Sequence, residues 1–180
     1  MARESTLRKT TEMESICAVY QELANPGAPH KLLAEMAGSW SVKSKWWMDP
    51  SELPMESTGT SEQRMILEGR FLQQEFSGDM QGNPFAGIGF NGYNNHTGKF
   101  VSTWMDTMGT GIYYFEGNAG GADGKTITQI CDYDDPVRGP LKWRYVSRIV
   151  DHNHLEFEMY TTDSSGKEGK MGEMTYTRKS

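Results

Sequence analysis

Asp106 is the residue in this 180-residue chain best placed by type and spacing to move a proton. It follows Trp104 by two positions, so the two side chains share one face of a strand. A carboxyl held beside an indole and away from water has its pKa raised, as a general acid or base requires. The competing role is local and is the favoured one. A carboxylate ahead of Thr107-Met108-Gly109-Thr110 caps a tight turn by accepting backbone N–H bonds. His152 and His154 form a His-x-His pair at a turn, a spacing that can hold zinc or put one imidazole on a haem iron. His30 and His96 fall in other loops, and no cluster of Cys or carboxylates completes a ligand set. No cofactor is therefore predicted, with haem as the alternative. Gly-x-Ser-x-Gly, His-Glu-x-x-His and Walker sequences are all missing, so the chain is not expected to be an enzyme of those classes. Gly87, Gly89 and Gly92 imitate a phosphate loop but lie in a strand with no helix after it. Their expected use is to let bulky neighbours cross a sheet.

The composition narrows the setting for these residues. Hydrophobic residues are 36%, aromatics 11%, and there are 20 glycines. Few aliphatics with many rings and glycines suit strands and turns better than a helical bundle. The net charge of -6 lacks the basic face that nucleic acid or anionic lipid needs. No apolar run has the length of a membrane span. Cys17 and Cys131 read as two buried thiols in a reducing cytoplasm rather than one disulfide.

The elements that must position the chemistry follow from periodicity. Residues 1–10 are polar and expected to fray. Thr11 and Glu14 have capping-box spacing, and Met13, Ile16, Cys17, Tyr20 and Leu23 recur at helical intervals, which predicts a helix over 12–24. A second short helix follows Pro29, with Leu32, Leu33 and Met36 on one side and Gly38 as its C-terminal cap. From Ser39 the period becomes two. Ten strands are expected, over about 39–48, 56–68, 70–79, 85–93, 99–107, 110–118, 125–133, 141–150, 154–162 and 168–178, with short turn-rich connections and no helices between them. That is an all-β, antiparallel, up-and-down barrel of about ten strands, with one or two short N-terminal helices. Residues 1–27 are read as a helical extension and 28–180 as the barrel domain. The stripe on the first helix is expected to plug the barrel; docking on a partner or forming a homodimer is the alternative.

Parity then selects an interior. Trp40 facing inward brings Val42, Ser44, Trp46 and Met48 with it. By the same rule Gln74 joins Leu72 and Phe76, Asp106 joins Trp104, Tyr145 joins Trp143, and Met159 joins Phe157. Arg64 is placed outside. Trp46, Met48, Gln74, Trp104, Asp106, Tyr145 and Met159 are thus the candidate ligand-binding set. An aromatic cavity with few polar groups is the usual make-up of a small-molecule site, and a ten-stranded barrel has more room than an eight-stranded one.

Gly38-Ser39-Trp40 opens the first strand just after a short helix. Leu67-Glu68-Gly69-Arg70-Phe71-Leu72, Gly89-Phe90-Asn91-Gly92-Tyr93-Asn94 and Phe100-Val101-Ser102-Thr103-Trp104-Met105-Asp106 follow, and the chain closes on Tyr176-Thr177-Arg178. This order resembles the bacterial domain-of-unknown-function family 1579, whose members look like lipocalin-like (calycin) barrels, over about residues 28–179. The resemblance implies a fold and no reaction. It also implies structural roles for Trp40 and Arg178, a late arginine packing over the ring at the closed end. Haem-binding barrels of the nitrobindin type share the Gly-x-Trp entry and use a late His, but their extended glycine-rich opening has no equivalent here. The reading is a cytoplasmic barrel for a small, largely apolar ligand. The alternatives are an enzyme with Asp106 as acid or base, a haem-binding barrel and an interaction scaffold.

Overall fold

The computed structural model describes residues 2–48, 52–80, 82–162 and 165–180. Among the described residues, two helices, α1 (Ala2–Leu23) and α2 (Ala28–Glu35), precede ten strands. These are β1 (Gly38–Trp46), β2 (Met55–Ile66), β3 (Phe71–Met80), β4 (Asn83–Asn94) and β5 (Lys99–Asp106), then β6 (Tyr113–Gly120), β7 (Thr126–Asp135), β8 (Gly139–Asp151), β9 (His154–Thr162) and β10 (Glu168–Arg178). Each strand pairs antiparallel with its sequence neighbours, and β1 pairs with β10, so the sheet closes into an up-and-down barrel without a free edge. The expected ten strands are thus all present. No helix among the described residues is long and apolar enough to cross a membrane.

The period-two pattern works because one face of every strand looks into the barrel. In β1, Trp40, Val42 and Ser44 are buried while Ser41, Lys43 and Lys45 are exposed. The exposed face carries its own ion pairs, such as Arg64 with Glu75 at 3.0 Å, which puts Arg64 outside. The turns use specific chemistry. Asn94 Oδ1 accepts the N–H groups of His96 and Thr97, and Gly98 then takes a positive φ. Between β2 and β3, Leu67 and Glu68 both adopt positive φ in a tight hairpin turn, held by the Arg70 guanidinium on Leu67 O and on the Glu68 carboxylate. Leu67, expected in a strand, is therefore exposed at a loop tip.

One end of the barrel is closed by α2. Leu33 is buried against Leu72, Phe100 and Ile127, while Leu32 and Met36 pack on both core clusters. The helix begins on a histidine: His30 Nδ1 accepts the Gly27 N–H at 3.0 Å, and its ring meets Tyr93 edge-on. An accepting Nδ1 means a neutral imidazole. Burial, followed by a smaller repulsion from Arg70, holds the His30 pKa below 6.5. The sign is that of a depressed base: the folded state binds fewer protons than the unfolded one in this range. The contribution is complete above 6.5 and is lost as the pH falls through the lowered folded value. Thermal unfolding followed from pH 7.5 to 5 is therefore expected to show a falling midpoint that flattens in His30→Gln; an unchanged slope would refute the role.

Three expectations at this end are corrected. The plug is α2 and not α1, because the apolar side of α2 enters the core whereas Met13, Ile16, Val19 and Tyr20 of α1 lie exposed. The first helix also runs from Ala2 instead of fraying over its first ten residues. It is tied to the barrel at its C-terminal end, where Asn95 Nδ2 donates to Leu23 O and Asn25 O and Arg70 Nε donates to Ala24 O. Gly38 does not cap α2, whose last cap is Met36. It opens β1 at φ +147°, where a Cβ would lie 2.0 Å from Arg178 Nη1. Cys17, on the same outer surface of α1, is exposed and unbridged, while Cys131 is buried.

Candidate functional site

The interior holds a cavity of about 260 Å³ that runs from Met36 under α2 to Met80 and Met108 at the opposite mouth. One wall is a row of rings. Tyr113 stacks on Trp143 with centroids 5.1 Å apart, Trp143 stacks on Tyr145 at 6.4 Å, and Tyr145 meets Phe157 edge-on at 4.9 Å. Two tryptophans lie flat over glycines of the neighbouring strand. A Cβ on Gly87 would sit 2.2 Å from Trp104 Cζ2, and one on Gly89 would sit 2.9 Å from its Cε3. A Cβ on Gly172 would sit 2.6 Å from Trp46 Cζ3. Gly87 and Gly89 of β4 are thus recesses for an indole, the kind of use expected of them.

Of the seven residues chosen by parity, Trp46, Gln74, Trp104, Asp106, Tyr145 and Met159 line this cavity. Met48 does not. β1 ends at Trp46, so alternation no longer governs Met48, which is 66% exposed. Asp106 serves its neighbours: Oδ1 accepts the Met108 N–H at 2.9 Å, and Oδ2 accepts Trp104 Nε1–H at 2.8 Å. The carboxylate therefore caps the turn and fixes the indole together.

The phenols of the cavity are neutral at physiological pH. Burial, then the bond to Tyr133, pushes Tyr113 up to about 12. Burial pushes Tyr176 up to about 12 and raises Tyr145 further. Burial also raises the Cys131 thiol, which leaves it a poor nucleophile.

Parity reasoning on aromatics missed the polar belt. Gln63 and Gln129 are buried and line the cavity, as do Asn91 and Ser147. Gln63 faces Gln74 across β2 and β3, and Ser102 Oγ donates to Gln129 Oε1 at 3.1 Å. Tyr176 OH accepts from Gln74 Nε2 at 3.4 Å and donates to Met174 Sδ. The signal was present in the alternation Ile127-Gln129-Cys131 and Ser61-Gln63-Met65. Neutral carboxamides attract less notice than a carboxylate, yet they are the groups that can orient a neutral ligand.

The histidines stand apart from this cavity. His152 and His154 lie at the β8–β9 turn on the closed end, with His154 Nδ1 paired to Asp151 at 2.9 Å. Among the described residues no histidine lines the cavity, and no group of three metal-ligating side chains forms. A haem in this cavity would find no imidazole for its iron, so the residues present do not fit one. Trp40 and Arg178 are at the same closed end. The guanidinium lies 4.1 Å above the indole, Trp40 Nε1 donates to Met36 O, and Arg178 donates to Ala37 O, Glu35 O and His152 O.

The chain is similar to several solved structures. The crystal structure of Rv2717c from M. tuberculosis superposes with a TM-score of 0.60 at 15% identity, covering 87% of this chain and 100% of that one. A redesigned β-barrel gives a TM-score of 0.45 at 15% identity, covering 83% and 96%. A structure of EF1p2_mFAP2b bound to DFHBI gives 0.46 at 11%, covering 83% and 98%. No curated protein matched the chain. The barrel, its α2 plug and its Gly38-Ser39-Trp40 entry all fall within residues 25–178, which match one family model, and the chain belongs to that family, described as Protein of unknown function (DUF1579).

Proposed function

We propose that this protein binds a small, neutral, largely apolar molecule inside its barrel. The observation that carries the reading is the lining: rings and methionines around about 260 Å³, with amides and hydroxyls among them and Asp106 and Glu156 as its charged residues. Among the described residues no Lys, Arg or His side chain lines the cavity, so an anionic ligand would lose its hydration without gaining a partner. Residues 28–180 form the binding unit in this reading, with α1 as an extension of it. Two unbridged cysteines support a reducing cytoplasm as its setting. Both oxygens of Asp106 are engaged by Trp104 and Met108, which favours binding over acid–base chemistry at that carboxylate.

Native mass spectrometry of the protein purified from its own host is expected to show a fraction carrying one small organic molecule that organic solvent releases. A single species at the bare sequence mass, together with no uptake of naphthalene-sized compounds in calorimetry, would sink this reading.

A further inference from the structure

The polar groups that a ligand can reach lie at the floor of the cavity. Gln63 Oε1 and Trp143 Nε1 are sealed in the wall, so no guest touches them. Asn91, Gln129 and Ser147 are different. Gln129 is 5% exposed, and its Oε1 accepts the Ser102 hydroxyl at 3.1 Å. Its Nε2 has no hydrogen-bond partner among the described residues and is not one of the sealed atoms. The side chains of Asn91 and Ser147 are likewise unpartnered among the described residues and open to the interior. All three line the main cavity and also an adjoining void of about 10 Å³ beneath Leu33 and Met36 of α2. They come from β4, β7 and β8, and closure of the barrel gathers them around one point.

That void has room for a water or one small atom of a ligand, and for nothing larger. Buried amides and hydroxyls rarely stay unpaired, because each unmade bond is costly. The acceptor of Gln129 is engaged by Ser102, so its carboxamide offers the ligand only N–H groups. Asn91 and Ser147 can each donate as well. The floor therefore presents donors to a notch the size of one oxygen atom. Among the described residues no Lys, Arg or His lines the cavity, so that oxygen is a neutral one. The space above the notch sets the rest of the guest. A dry cavity of about 150 Å³ holds one benzene ring, so about 260 Å³ holds roughly ten non-hydrogen atoms, the size of two fused rings. The stacked row of Tyr113, Trp143 and Tyr145 offers such rings a flat wall.

Resting on the binding reading above, we propose that the ligand is a neutral, two-ring aromatic carbonyl compound whose carbonyl oxygen enters the notch and accepts from Gln129 Nε2, with Asn91 and Ser147 as flanking donors. Ser102 is the positioning residue, because its hydroxyl decides which end of the carboxamide faces the ligand. A hydrocarbon of the same shape leaves the donors unpaired. A ligand that offers only an N–H brings a donor to a donor.

The test is isothermal titration of the full chain with 1-indanone, indane and indole at neutral pH. All three are compact fused two-ring molecules. The first carries a carbonyl oxygen, the second no polar group, and the third an N–H donor. We expect 1-indanone to bind about tenfold more tightly than indane, and indole more weakly than 1-indanone. In Gln129→Met, of similar volume, the preference for 1-indanone over indane should fall to about threefold or less. In Ser102→Ala the carboxamide is free to turn, so indole should gain on 1-indanone; this variant also carries the test if Gln129→Met does not fold. Equal binding of 1-indanone and indane by the wild type, as a water retained in the notch would give, would overturn the carbonyl assignment and leave the binding reading intact. So would tighter binding of indole, or a ranking that stays the same in the variants. Binding of none of the three would remove the binding reading itself.

Discussion

Arg178→Ala is expected to lower the stability of the barrel by about 3 kcal/mol. The guanidinium connects three separate parts of the closed end. It lies over the Trp40 indole, which is fully buried. Nη1 donates to Ala37 O at 2.7 Å, Nη2 to Glu35 O at 3.2 Å, and Nε to His152 O at 2.7 Å. Its removal leaves the carbonyls that terminate α2 and the β8–β9 turn carbonyl without their charged donor. Arg178→Lys keeps the charge but not the planar fork, so it should recover less than half of the loss. Gly38→Ala approaches the same joint from the other side. Its φ of +147° is unfavourable for any side chain, and the added Cβ would collide with Nη1. It should match or exceed the cost of Arg178→Ala. Urea unfolding monitored by tryptophan fluorescence measures all three. A loss below 1 kcal/mol for Arg178→Ala would mean that α2 holds the end shut by apolar packing alone.

Gly87→Ala is expected to weaken ligand binding about thirtyfold, equivalent to about 2 kcal/mol, and to cost the fold less than the closed-end changes do. The new methyl would meet the six-membered part of the Trp104 indole at 2.2 and 2.7 Å. The ring must then tilt away from β4, toward the cavity it lines. The tilt also pulls Trp104 Nε1 off Asp106 Oδ2, which unlocks the turn that the same carboxylate caps. Trp104→Leu in the Gly87→Ala background should restore space and part of the affinity, since the smaller side chain no longer needs the recess. Calorimetry with a naphthalene-sized aromatic compound on both variants reads the effect. Unchanged affinity in Gly87→Ala would show that the ligand does not occupy the Trp104 side of the barrel.

The sequence by itself determined the barrel and most of its inner face. A side-chain period of two is a local property of an extended backbone, so Trp40-Val42-Ser44 and Phe100-Ser102-Trp104 declare their face wherever the strand ends up. Turn chemistry is equally local, as Asn94 and Gly98 illustrate. Alternation carried Gln74, Tyr145 and Met159 to the cavity for the same reason, and it failed at Met48, where the strand had already ended. Only the tertiary structure decided what depends on residues far apart in the chain. Which helix fills the barrel end was one such matter, since both carry apolar residues and burial alone separates Leu33 from Tyr20. Whether the interior was packed or hollow was another, because glycines opposite Trp104 and Trp46 move the rings aside in a way that no strand shows alone. The polar belt was the third. Gln63, Ser102 and Gln129 lie on different strands, and only closure of the sheet brings them into one cavity. Local periodicity says which way a side chain points; closure of the ring says what it meets.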